Sequence, residues 1–137
     1  MKIRRQCFAG ALACLASCAA SAADSQGNYA IWGEGGRSCN QFTQARPHAA
    51  RLAPFRDYLM GYLTAFNMLA PDTYDAVGGE SLETTLSWLD EYCDTHKMDS
   101  FERALGQLLL ARHDQRARMP PGTTRGWSNG PATPATP

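Results

Sequence analysis

The residues of this chain with a claim to chemistry are five cysteines, three histidines and a crowd of acids between Asp72 and Glu102. A cysteine nucleophile needs a base beside it, and zinc needs ligands at short, recurrent spacings. There is no Cys-x-x-Cys, and His48, His96 and His113 stand at no familiar ligand spacing. Residues 72–83 have the length of a calcium loop, with acids at its first, ninth and twelfth positions. Tyr74, Ala76 and Val77, however, fill places where that loop needs oxygen ligands and glycine. Asp90, Glu91 and Asp94 crowd one stretch of a predicted helix and read as a solvated acidic face rather than a grip on a cation. His96 falls near the end of that helix, where an imidazole meets the negative end of the dipole, and reads as a C-terminal cap. Tyr58 and Tyr62 with Phe55 and Phe66 could line a pocket, but at helical spacing such aromatics are core. No nucleophile sits beside a base and no carboxylate pair has separated environments. The expectation is therefore no catalytic residue, no cofactor and no metal: a non-enzymatic protein.

Charge is distributed unevenly. Between Asp72 and Glu102 nine acids face one lysine, whereas from Arg103 to Arg125 five arginines face Asp114. Such polarity suggests either head-to-tail self-association, a possible homodimer, or docking to a partner of complementary charge, unless it merely marks solvated faces. It offers nothing to nucleic acid.

The N-terminus bears on the compartment. Three charges in Met1 to Arg5 precede an uncharged stretch from Cys7 to Ala20, which ends in Ser21-Ala22-Ala23 before Asp24. This is the order of a secretory signal peptide, residues 1–23, with a soluble periplasmic product. The alternative is lipidation at Cys18, because Leu15-Ala16-Ser17-Cys18 is similar to a lipobox. Either route leaves Cys39 and Cys93, and an oxidising compartment favours their pairing. A crosslink closing about 55 residues stabilises by roughly 4 kcal/mol on the chain-entropy account. Without residues 1–23 the chain keeps ten basic and thirteen acidic side chains. No later segment is apolar enough to be a transmembrane helix.

These residues must be positioned by a small number of helices. Residues 24–37 read as an irregular arm laying Tyr29, Ile31 and Trp32 on a helical domain of residues 38–118. Ser38 reads as the N-cap of a short helix carrying Cys39 and Phe42. Leu52, Phe55, Leu59, Tyr62, Phe66 and Leu69 then recur at spacings of 3, 4, 3, 4 and 3, one face of a helix. Pro54 should sit in its first turn and Pro71 just past its end. Gly61, costing about 1 kcal/mol within that helix, implies close approach of another helix. Leu82, Leu86, Leu89 and Cys93 mark a third helix with Trp88 beside the stripe. Asp99 with Glu102 forms a capping-box pattern opening a last one with Phe101, Ala104, Leu105 and Leu108. The segment 119–137, rich in proline, threonine and glycine, reads as a disordered tail.

This plan resembles the HdeA/HdeB family of periplasmic acid-stress chaperones. The shared features are an aromatic residue before Cys39, Phe42 three residues after it, an amphipathic helix containing Gly61, Cys93 late in a helix, and a final helix opening at Asp99-Ser100-Phe101. The resemblance implies an all-α, four- to five-helix HdeA-like domain stapled by Cys39 and Cys93. It also implies a chaperone that acid opens to bind clients. The candidate binding face is then Phe55, Leu59, Tyr62 and Phe66 on one helix with Phe101, Leu105 and Leu108 on another. The chain departs from that family in its aromatic second helix and its long tail. It also resembles the Tai-class periplasmic immunity proteins, small exported disulfide-linked helical proteins, which implies binding of a secreted toxin.

Overall fold

The computed structural model describes residues 23–122. The signal peptide and lipobox expected before residue 23, and all but the first residues of the expected tail, lie outside the described residues. The chain divides into two units, Met1–Ala30 and Ile31–Pro137. In the first, the Asp24 carboxylate accepts the N–H groups of Asn28 at 2.8 Å and Gln26 at 2.9 Å. Those bonds hold its pKa below the ordinary carboxylate value, Asn28 contributing most.

The second unit is all-α. Its described residues form α1 (Cys39–Ala45), α2 (Ala49–Leu69), α3 (Leu82–Thr95) and α4 (Phe101–Arg112), with short 3-10 turns at Gly33–Gly36 and His113–Gln115. The first of these turns lies in what the sequence marked as irregular arm. Trp32 just before it is 81% exposed instead of lying on the domain. The arm is anchored by Gly35, which is buried and so close to the ring of Tyr58 that a Cβ would overlap the phenol.

Three helices begin where a serine supplies an acceptor for the first N–H groups, whereas α2, preceded by His48, has no side-chain cap. Ser38 and Gln41 form a reciprocal capping box on α1, and Ser81 caps α3 through the Thr84 N–H. Ser100, rather than Asp99, caps α4 through Arg103 N–H. Asp99 is occupied elsewhere: its carboxylate accepts the Tyr92 hydroxyl at 2.7 Å and its carbonyl accepts the Cys39 N–H at 2.8 Å. With the Phe101 N–H donating to the Arg37 carbonyl at 2.7 Å, the starts of α1 and α4 form one clasp. The Cys39–Cys93 disulfide ties α1 to α3.

α2 departs from expectation at its start and in its middle. It begins at Ala49, which leaves Pro54 inside the helix, not in its first turn. Proline removes the N–H that would meet the carbonyl of Ala50. Ala50 and Pro54 are both exposed, so water can take that carbonyl, while the turn before the proline buries Leu52. Gly61 admits no neighbouring helix, because a Cβ there would meet nothing within 4 Å.

The core is an aromatic knot. Phe42, Phe55 and Phe101 stand 4.8 to 5.5 Å apart between ring centroids, and Leu59, Leu86, Leu89, Leu105 and Leu108 pack around them. The loop between α2 and α3 is strapped at two points. Asn67 Oδ1 accepts Ala76 N–H at 2.9 Å, and Asp75 bridges to Ala117. Gly78 lets the strap pass, with φ of 67° and the Gln115 carbonyl where a Cβ would project. No helix among the described residues is long and apolar enough to cross a membrane.

Candidate functional site

The predicted binding face is assembled by the fold, but as core. Phe55, Leu59, Phe101, Leu105 and Leu108 are all buried, and only Tyr62 and Phe66, farther along α2, are half-exposed. The first half of α2 faces the knot, whereas its second half runs beyond it. From Tyr58 to Pro71 no residue is charged. Its polar side chains are Thr64 and Asn67, and the rest of this half of α2 is apolar. Here Met68 is 78% exposed, Leu69 79% and Met60 44%. Leu69 falls on the apolar face by its spacing, yet the structure places it in solvent. The signal was present in the sequence as that uncharged run, although periodicity alone hid it.

The groups considered for catalysis are dispersed into structural tasks. His96 closes α3: its ring stacks on Tyr92 at 4.1 Å, and Nδ1 lies 2.9 Å from the Tyr92 carbonyl. Trp88 stacks on Tyr92 in turn at 5.7 Å, and the Arg112 guanidinium lies 5.9 Å over Trp88, so one outer face of α3 carries a continuous π ladder. Burial, together with the neighbouring Asp99 carboxylate, raises the Tyr92 phenol above its ordinary pKa. Among the described residues no group of three or more His, Cys, Asp or Glu could hold a metal ion. The Asp75 carboxylate accepts the N–H groups of Val77 and Gly79, which fixes the loop before α3 as a strap.

The charge polarity along the sequence is largely consumed within the fold. Arg112 reaches Glu80 at 2.9 Å, Arg118 reaches Asp72 at 2.8 Å and Arg103 reaches Asp99 at 3.4 Å, so the arginine-rich segment folds back on the acidic one. Arg46, on the α1–α2 connection, holds Glu83 at 2.8 Å and stands 3.7 Å from Asp90, both on α3. The Arg46 hydrogen bond, then its charge, lowers the Glu83 pKa.

Shallow clefts flank the exposed half of α2. One, of about 200 Å³, lies between Phe66, Pro71, Leu109 and Arg116. Another, of about 360 Å³, lies between α2, the strap and the start of α3. Compared with known proteins, the chain matches no family model, no curated protein and no solved structure.

Proposed function

We propose that this chain is an exported, non-enzymatic protein that works in the periplasm by binding other proteins, in the manner of an HdeA-like chaperone. The observation that carries the reading is the second half of α2, where Met60, Met68 and Leu69 stand in water on a helix with no charge from Tyr58 to Pro71. The surface is apolar and flexible in side chain, as suits varied partners. Acid activation has its own support. The pairs Arg46–Glu83, Arg112–Glu80 and Arg118–Asp72 tie segments far apart in sequence, and each loses its attraction when the carboxylate takes a proton. Their loss would loosen the cover over Phe55, Leu59, Phe101, Leu105 and Leu108, while the disulfide kept α1 on α3. The Tai-like reading, one toxin bound at neutral pH, draws on the same end of α2, because Met68 and Leu69 are exposed without any opening.

Affinity isolation from envelope extracts at neutral and acidic pH tests the proposal. Many clients recovered in acid alone support the chaperone, and one stoichiometric partner at neutral pH supports immunity. Recovery of neither removes the protein-binding reading.

A further inference from the structure

The cleft between α2, the 71–80 strap and the start of α3 indicates what kind of segment would be bound. Met60, Leu63, Val77 and Leu82 form its apolar wall. Val77 belongs to the core, and Leu63 and Leu82 pack half-buried against it, so this wall is fixed in place. The ionisable residues lining the cleft are Asp75 and Glu80, and no lysine, arginine or histidine lines it. The carboxylate of Asp75 is held rigidly by two N–H donors, from Val77 at 3.1 Å and Gly79 at 2.8 Å, which leaves acceptor capacity on both oxygens. Glu80 is turned toward Arg112, 2.9 Å away, which balances its charge, and its second oxygen is shielded from water without a hydrogen-bond partner. The cleft thus combines an apolar wall with about one net negative charge held at a fixed place.

An apolar wall ending at a carboxylate matches a long basic side chain, whose methylene stem covers apolar surface while its head keeps a polar partner. We propose that this cleft receives a lysine or arginine, flanked by apolar residues, on a partner polypeptide. The stem would lie along Met60, Leu63 and Leu82 and the head would meet Asp75. This rests on the protein-binding reading and, for binding by the closed fold at neutral pH, narrows it to partner segments that are both apolar and cationic. It also supplies selectivity that the bare end of α2 lacks, because an acidic residue at the same place would meet Asp75 unpaired.

The test is titration of the isotope-labelled, disulfide-linked protein at neutral pH with the capped peptide Ala-Leu-Lys-Leu-Ala, followed by amide chemical shifts. The same peptide with norleucine or glutamate in place of lysine serves for comparison. The lysine peptide is expected to shift amides of residues 60–67 and 75–85 and to bind about three- to fivefold more tightly than the norleucine peptide, the range of a partly exposed charge pair. The glutamate peptide should bind more weakly than either. Asp75→Asn should abolish the preference for lysine. Since Asp75 also holds the strap, Met60→Lys on the exposed helix face provides a second variant, expected to place a cation in the cleft and exclude the peptide. Equal binding of the three peptides, or shifts confined to residues outside the cleft, would overturn the proposal. Equal binding would leave protein binding by α2 standing, whereas recovery of no partner from envelope extracts bears on that broader reading alone.

Discussion

Single residues explain where composition misleads. Gly61 lies in mid-helix with open space in front of it, so a methyl group should reduce unfolded-state freedom without a clash. Gly61→Ala is expected to stabilise by about 1 kcal/mol in urea unfolding, and a loss of stability would mean that the position serves a contact absent from the isolated chain. Cys93→Ser removes the tie between α1 and α3 and should cost roughly 4 kcal/mol, read as a lowered urea midpoint. Tyr92 gives an alkaline signature. Its pKa is raised in the fold, so the native state keeps the phenol proton longer than the unfolded chain. Its contribution is therefore complete below the ordinary value of 10.0 and is lost as pH rises through the raised one. Tyr92→Phe should flatten that alkaline decline.

At the scale of elements, the helices were legible because their apolar positions recur with helical spacing, and Ser38 and Ser81 announce two of the starts. The disulfide was legible from cysteine number. The start of α2 was not, since nothing local says that burying Leu52 outweighs a proline in the second turn. Nor was the exchange of Asp99 for Ser100 as cap, which depends on Tyr92 and Cys39 arriving from other elements. Ser100→Ala should cost about 1 kcal/mol through the lost bond to Arg103 N–H. Circular dichroism at intermediate urea should show that loss, and an unchanged midpoint would mean that Ser100 is not the cap. The candidate site was legible only in part. The stripes chosen for hydrophobicity became core, because the residues most able to bind a partner are also those most able to bind one another, and the exposed surface was left to the uncharged end of α2.

For the whole molecule, acids and arginines far apart in sequence pair into a set of internal ties. Those ties set the direction of the pH response. Glu83 titrates below its ordinary value of 4.5 in the fold, so its stabilising contribution is present above that value and is lost as pH falls through the lowered one. Acid also leaves ten basic residues and three histidines charged on the chain from Asp24 onward, with no negative side chains to offset them. Opening is thus expected to begin below about pH 4.5 and to expose the faces of α2 and α4 while the disulfide holds α1 on α3. In the proposed function these faces then hold unfolding proteins. Its most direct test is aggregation of an acid-sensitive client across pH 7 to pH 2, with hydrophobic-dye binding followed in parallel. A small dye signal at neutral pH, rising several-fold below pH 4.5 together with suppression of client aggregation, is the predicted result. An unchanged dye signal down to pH 2, with the client aggregating as fast as it does alone, would contradict it.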